Sequence, residues 1–204
     1  MGNLVLVFAK TPVLGTVKTR LAKKIGAEKT LWVYKQLLKK TESVLQNTEV
    51  DSIVFYSGKS VKDFGIYFMK FKKLKQRGED LGQRMLSAFQ WGFEKGYNNI
   101  IIIGSDLWEL DTNTIDGAFD YLKTHDVVIG PATDGGYYLL GMTKLIPEVF
   151  KNKKWGSSSI AAETLCDLRA YKIIMTNEKT DLDTYRDLEV QQDLFEEYKR
   201  VFDI

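Results

Sequence analysis

Six short apolar runs punctuate the chain: LVLVFA (4–9), SIVFYS (52–57), IIIIGS (100–105), DVVIG (126–130), YYLLGM (137–142) and YKIIMT (171–176). They are short, and most are rich in valine, isoleucine or aromatic residues, so they predict strands. The run IIII has no polar alternation, the pattern of a strand buried on both faces, which places 100–105 at the centre of a covered parallel sheet. Between the runs the period changes. Leu31, Tyr34, Leu38 and Leu45 form one stripe over 27–46, with lysines opposite. Leu81, Met85, Phe89 and Gly92 do the same over 80–95, and Ile115, Phe119 and Leu122 over 112–123. Segment 157–169 opens with three serines suited to N-capping and then sets Ile160, Thr164, Leu165 and Leu168 on one side. Segment 185–202 is amphipathic to the end. Strands alternating with helices predict βαβ units in a mostly parallel sheet. No repeat, low-complexity tract or linker divides residues 1–204, which read as a single domain.

Composition narrows the function classes. A formal net charge of +2 over 204 residues gives no nucleic-acid-coating surface. The single cysteine, Cys166, excludes an internal disulfide and fits a reducing compartment; its apolar neighbours predict a core position. The single histidine, His125, excludes a multi-histidine zinc site and reads as a helix-end residue. The N-terminal MGNLVLVFAK has no basic segment before its apolar run, and no stretch approaches the ~18 apolar residues of a membrane span. The expectation is a soluble, cytoplasmic protein with no membrane span and no nucleic-acid partner.

In open α/β sheets ligands bind beyond the carboxyl ends of the strands, so the segments after the apolar runs carry the candidate chemistry. FAKTPVLGTVKTRL (8–21) holds Lys10, Lys18 and Arg20, with Gly15 permitting a tight turn. Three cations beside a helix N-terminus suit a di- or triphosphate; a solvated basic loop is the plainer reading of the same residues. The stretch is neither a P-loop nor GxGxxG. Asp106 ends the most apolar strand, where a carboxylate suits a hard cation such as Mg²⁺ or Mn²⁺ that also takes substrate phosphates. Its alternative is to cap the next helix, for which Glu109 and Asp111 also stand ready.

In GPATDGGYYLLG (130–141), Gly135 and Gly136 give a turn free of Cβ atoms that a substrate can approach closely. Asp134 can accept hydrogen bonds from sugar hydroxyls or act as a base. Of Tyr137 and Tyr138 only one faces the site, because adjacent strand residues point opposite ways. A hairpin turn explains the same letters. In TDLDTYRDLEV (180–190), Asp183-Thr184 reads as an N-cap with Asp187 in the first turn, and Asp181 or Asp183 stands open as a second metal ligand. In RGEDLGQRM (77–85), Asp80 and Gly82 read as a cap and turn, or as a nucleotide contact. Trp155 reads as a substrate-side aromatic or as a packed anchor for the following helix.

The order of these blocks, from K-x-P-x-x-G-x-x-K-T-R-L through R-G-x-D-L-G-x-R-M, G-S-D, G-P-A-x-D-G-G-Y-Y-L-L-G and W-G to D-x-D-T-x-x-D-L, resembles a bacterial glycosyltransferase family of GT-A fold. Its members are similar to nucleotide-diphospho-sugar transferases, and some are associated with arsenosugar biosynthesis. The resemblance spans residues 4–190, and KTRL and DGGYYLLG are its most specific parts. It implies a Rossmann-like, three-layer α/β/α fold with a mixed, mostly parallel sheet. It also implies Asp106 and Asp183 as ligands for Mg²⁺ or Mn²⁺, and Lys10, Lys18 and Arg20 as the phosphate loop. Two departures stand out. The family's G-x-D-C-P-x-L is Gly104-Ser105-Asp106-Leu107-Trp108-Glu109-Leu110, which puts the shape of the neighbouring pocket in question. Its D-T-P-x-D-L is Asp183-Thr184-Tyr185-Arg186-Asp187-Leu188, which loses the helix-first proline.

The expected function is metal-dependent transfer of a sugar from a nucleotide-diphospho-sugar to a small-molecule acceptor. Asp106, Asp134 and Lys18 form the catalytic set; Gly15, Asp80 and Gly82 join the nucleotide contacts; Asp134, Gly135, Gly136, Tyr137 and Trp155 hold the substrate. The alternative is a guanylyltransferase-like nucleotidyltransferase that couples a nucleoside triphosphate to a phosphorylated small molecule and releases pyrophosphate. The missing G-x-G-x-R loop of sugar nucleotidyltransferases speaks against it. A non-catalytic nucleotide-binding protein is the third class.

Overall fold

Runs of β-branched residues that have no polar face need cover on both sides, and the chain supplies it with helices. The computed structural model describes residues 2–204. The strands are β1 (Asn3–Lys10), β2 (Asp51–Ser57), β3 (Lys72–Lys75), β4 (Asn99–Gly104), β5 (Val127–Pro131), β6 (Tyr137–Met142) and β7 (Ile173–Met175). They form one sheet in the order β3-β2-β1-β4-β6-β5-β7. All neighbouring pairs are parallel except those of β6, which runs antiparallel to both β4 and β5. The helices are α1 (Thr19–Ile25), α2 (Ala27–Gln46), α3 (Leu81–Glu94), α4 (Thr112–Leu122), α5 (Ile160–Asp167), α6 (Tyr185–Val190) and α7 (Gln192–Phe202).

Alternation along β4 distributes its isoleucines between two cores. Ile101 and Ile103 pack with residues of α2, α4 and α7, among them Leu38, Phe119 and Tyr198. Ile100 and Ile102 pack on the other face with Met85 and Phe89 of α3. The architecture is therefore the three-layer α/β/α arrangement with a mixed sheet. The carboxyl ends of β1, β2 and β4 lie side by side at one edge, where Lys10 pairs with Ser57 and Phe8 with Gly104.

Several local readings change. β3 consists of KKLK and pairs only with β2, at the sheet's end. Its lysines suit an edge strand, but three polar letters in four hide it from a hydrophobic pattern. The expected helix over 185–202 breaks at Gln191, which leaves helical geometry between α6 and α7. The three serines before α5 make no side-chain cap; Ser159 Oγ instead donates to Glu163 Oε1 at 2.5 Å. Cys166 is exposed rather than in the core. His125 ends the turn after α4, with its Nδ1 3.2 Å from the Tyr121 carbonyl oxygen.

Gly141, in the middle of β6, sets how closely β6 sits against its neighbours. A Cβ there would lie 2.6 Å from Val128 Cγ1 and 2.7 Å from Ile101 Cγ2, inside a fully buried layer. Gly141→Ala is expected to cost about 1–3 kcal/mol of stability through overpacking, read as a lower denaturant midpoint with an unchanged slope.

Candidate functional site: a lysine between two converging aspartates

The loop after β1 ends at Lys18, which adopts the left-handed conformation (φ 45°, ψ 52°) as it turns the chain into α1. A non-glycine residue there costs about 1–3 kcal/mol and persists only where its surroundings enforce it. Here the side chain is the constraint. Lys18 Nζ donates to Asp106 Oδ2 at 2.8 Å and to Asp183 Oδ1 at 2.7 Å, and the side chain is only 7% exposed. Burial alone would depress the ammonium's pKa, but the two carboxylates outweigh it and hold the group well above the ordinary lysine range. Asp183 shows the converse balance. Burial pushes its carboxyl up, Lys18 and then Arg20 pull it down, and the net direction is down. Arg20 Nη1 lies 3.8 Å from Asp183 Oδ2, and the arginine side chain is largely exposed.

Backbone hydrogen bonds bring the acids together. Leu182 is fully buried, and its N–H donates to the Asp106 carbonyl at 3.0 Å. Alternation along this extended stretch turns Asp181 and Asp183 away from Leu182 and toward the sheet edge. Asp183 is followed by a capping box, in which Thr184 accepts from the Asp187 N–H and Asp187 accepts from the Thr184 N–H. The proline missing at this helix start leaves the cap intact. Asp106 is free of capping duty, because Asp111 caps α4 through Thr114 N at 2.8 Å. Tyr34, which the sequence pattern placed only in a helical stripe, supports the centre from beneath. Its hydroxyl donates to the Lys10 carbonyl, accepts from the Lys10 N–H, both at 2.9 Å, and lies 3.3 Å from Ser105 Oγ. Burial pushes its phenol up to about 12, so the proton stays on the oxygen.

The cleft over this centre has two compartments that share Phe8, Leu81, Gly104, Tyr137 and Asp181. The larger, about 540 Å³, is lined by Lys10, Lys18, Arg20 and Arg84 together with Asp106 and Asp183. Of the expected phosphate contacts, Lys10, Lys18 and Arg20 are there. Gly15, Asp80 and Gly82 are not among its lining residues. Gly15 has positive φ and no neighbour within 4 Å of a Cβ, so it serves the turn alone. Asp80 caps α3 by accepting from Gln83 N at 2.8 Å. Gly82 makes room for protein, since a Cβ would lie 2.5 Å from the Phe150 carbonyl oxygen and the Trp155 indole nitrogen. Arg84 and Leu81, from the same RGEDLGQRM stretch, reach the cleft instead.

The smaller compartment is about 200 Å³ and is lined by Tyr137, Trp155, Asp134 and Gly136, with Met85 and Ile160 among its apolar walls. The expected substrate residues therefore meet here, with one exception. The space at Gly135 (φ +86°) is filled by the Ser158 backbone, whose carbonyl a Cβ would strike. The glycine admits chain, not substrate. Asp134 Oδ1 accepts from Gly136 N at 2.8 Å, so the acid also closes its own turn. Tyr137 faces the cleft. Tyr138 also borders this compartment but packs into the opposite core, where its hydroxyl lies 2.9 Å from Thr176 Oγ1 and donates to the Asn177 carbonyl. Leu107 and Trp108 line neither compartment. Leu107 is core, and the Trp108 indole donates to Asp193 Oδ1 on α7 at 2.9 Å, so this departure from the family pattern leaves the cleft's walls unaltered.

Asp181 sits where the compartments meet. Its Oδ1 is buried and has no hydrogen-bond partner. Burial, and then Asp106 beside it, push its carboxyl up to about 8, against the pull of Lys18. Among the described residues no three acidic, histidine or cysteine side chains are preassembled around one point. The donor set is nonetheless one of hard oxygens, with Asp106 and Asp183 held 2.8 and 2.7 Å from one buried cation and the Asp181 oxygen orphaned nearby. A hard divalent ion that takes one or two carboxylates and completes its shell with substrate phosphates and water fits such a set.

A carboxyl with a raised folded-state pKa stabilises the fold at low pH, and that contribution is lost as pH rises from the unfolded value of about 4 through about 8. Asp181→Asn removes this loss. The melting temperature of the variant is expected to exceed that of the parent by a few degrees at pH 8 and to match it near pH 4. Equal melting curves at both pH values would contradict the burial of an unpaired acid.

The geometry has recognisable relatives. The 2-phospho-L-lactate guanylyltransferase of Methanocaldococcus vulcanius is 24% identical over 137 residues, covering 67% of this chain and 60% of that protein. The chain thus spans about three fifths of the length of this curated relative. A solved protein of Desulfovibrio desulfuricans G20, called a nucleotide-diphospho-sugar transferase, superposes with a TM-score of 0.87 at 27% identity, covering 97% of this chain and 99% of that one. The Mycobacterium tuberculosis protein Rv0371c, solved as a complex with manganese, superposes at 0.61 and 14% identity over 95% of this chain and 99% of its own, a likeness of fold alone. The fold is thus of the nucleotidyltransferase and GT-A type. The family model described as an uncharacterized protein conserved in bacteria (DUF2064) matches residues 40–157, more than half of the chain, and the chain belongs to that family.

Proposed function

We propose that the protein is a nucleotidyltransferase, joining the nucleotidyl group of a nucleoside triphosphate to a phosphorylated small molecule with release of pyrophosphate. The observation that carries this reading is the Lys18 ammonium, buried between Asp106 and Asp183 on the floor of a compartment with three further cations. Such a floor suits a triphosphate, whose charge grows on the leaving pyrophosphate as an acceptor phosphate oxygen attacks the α-phosphorus and the α–β bridge breaks. Lys10, Arg20 and Arg84 are positioned to hold the β- and γ-phosphates, and Lys18 to stabilise charge at the reacting phosphate. Asp106 and Asp183, with Asp181 beside them, are the groups to hold Mg²⁺ or Mn²⁺, which supplies charge neutralisation at the phosphates when bound. The guanylyltransferase relative supports this reaction and suggests guanosine triphosphate as the donor.

Sugar transfer from a nucleotide-diphospho-sugar is the second reading. It is favoured by the name of the Desulfovibrio protein, and it uses the same cationic floor with a nucleoside diphosphate as leaving group. The association with arsenosugar synthesis rests on the sequence resemblance alone. The lack of a G-x-G-x-R loop counts less than expected, because the left-handed turn at Lys18 delivers a buried cation by another route.

Incubation of the full chain with each nucleoside triphosphate, Mg²⁺ or Mn²⁺ and a panel of phosphorylated acids and alcohols is expected to release pyrophosphate. Asp106→Asn is expected to lower that rate roughly 100-fold or more. Nucleoside diphosphate release from a nucleotide sugar, with no pyrophosphate from any triphosphate, would transfer the assignment to glycosyl transfer.

A further inference from the structure

The two compartments differ in charge, and the difference constrains the acceptor. The larger one has four cationic residues in its wall. The smaller has no lysine, arginine or histidine; its ionisable wall groups are two aspartates, Asp134 and Asp181, and the tyrosines. The rest is chiefly apolar: Phe8, Leu81, Met85, Ile102, Trp155 and Ile160. Asp134, which lines only the smaller compartment, accepts from Gly136 N through Oδ1 alone and has Oδ2 to offer a donor. An anionic group entering such a space would lose its hydration, meet acidic neighbours and find no counter-charge, whereas an apolar body gains from burial and a donor finds the Asp134 carboxylate.

We infer, resting on the nucleotidyl-transfer reading, that the acceptor is a phosphate monoester with a compact apolar body whose far end bears a hydrogen-bond donor, a hydroxyl or an amine, and no carboxylate. Its phosphate lies on the cationic side of the junction at Gly104, and its apolar body lies between Trp155, Met85 and Tyr137. About 200 Å³ holds a fragment of roughly six or seven water-sized groups, about a substituted ring or a short branched chain. This differs from what the guanylyltransferase relative is named for, since 2-phospho-L-lactate carries a carboxylate next to its phosphate. The acidic wall also distinguishes this compartment from a second phosphate site, which would need cations.

A matched series of probes reads this directly: 4-(hydroxymethyl)phenyl phosphate, 4-(aminomethyl)phenyl phosphate and 4-carboxyphenyl phosphate, titrated calorimetrically into the full chain with Mg²⁺. The hydroxyl and amine probes are expected to bind at least 10-fold more tightly than the carboxyl probe. Trp155→Ala is expected to weaken the two preferred probes about 10-fold while leaving the affinity for guanosine triphosphate unchanged. If Trp155→Ala melts early because its indole packs over Gly82, Leu81→Lys, at a position 43% exposed, is read instead and is expected to narrow or invert the discrimination against the carboxyl probe. Equal or tighter binding of the carboxyl probe, no binding of any probe where the nucleotide binds, or a Leu81→Lys variant with unaltered ranking would overturn the inference. These titrations need no turnover. The ranking holding without pyrophosphate release would count against the proposed reaction, and pyrophosphate release with the ranking reversed would count against the acceptor class.

Discussion

One ammonium group organises the cleft. Lys18 lies between two carboxylates that come from positions 88 and 165 residues further along the chain, and it is almost wholly removed from water. A buried lysine without partners would shed its proton, and clustered aspartates without a cation would take protons up. Each is kept charged by the other. The left-handed backbone at Lys18, the hydrogen bond from Leu182 to Asp106 and the capping box at Thr184 then serve one end, which is to hold opposite charges in a fixed array at the sheet edge. Arrays held in this way act on developing charge without having to reorganise at the moment of reaction.

The array is incomplete by one oxygen. Asp181 has neither a cation of its own nor a hydrogen bond for its buried Oδ1, and its carboxyl is displaced far from the usual carboxylate range. Proteins tolerate such a cost chiefly at functional sites, where an incoming ligand supplies the missing partner. Its position on the wall shared by the cationic and the apolar compartments places that unmet demand where the two compartments meet.

Much of this was legible from the sequence, and the rest was hidden for identifiable reasons. IIII at 100–103 announced the central strand because a doubly covered strand has no polar face, and Asp106 was findable because it follows that strand's end. Asp183 read equally well as a helix cap, and only the backbone link through Leu182 separates the residues: Thr184 caps, while Asp183 turns to Lys18. Asp80, Gly82 and Gly135 each kept two readings, because aspartate and glycine before a helix or in a turn look the same whether the open space beside them holds a ligand or another part of the chain. Here it holds a cap, an indole and the Ser158 carbonyl. Tyr34 was visible as a buried stripe residue, yet its hydroxyl's bond to the end of β1 depends on tertiary packing that no local pattern encodes. β3 escaped because a lysine-rich edge strand carries its polar letters as protection, not as loop.

The most direct test of the central claim is the location of manganese. Crystals grown with Mn²⁺ and a non-hydrolysable guanosine triphosphate analogue, measured across the manganese absorption edge, report the ion's position without interpretation of chemistry. An anomalous peak within coordination distance of Asp106 and Asp183, with triphosphate oxygens beside Lys18, is the predicted result. Manganese bound away from these carboxylates, or a triphosphate lying outside the cleft lined by Lys10, Lys18, Arg20 and Arg84, would contradict the account.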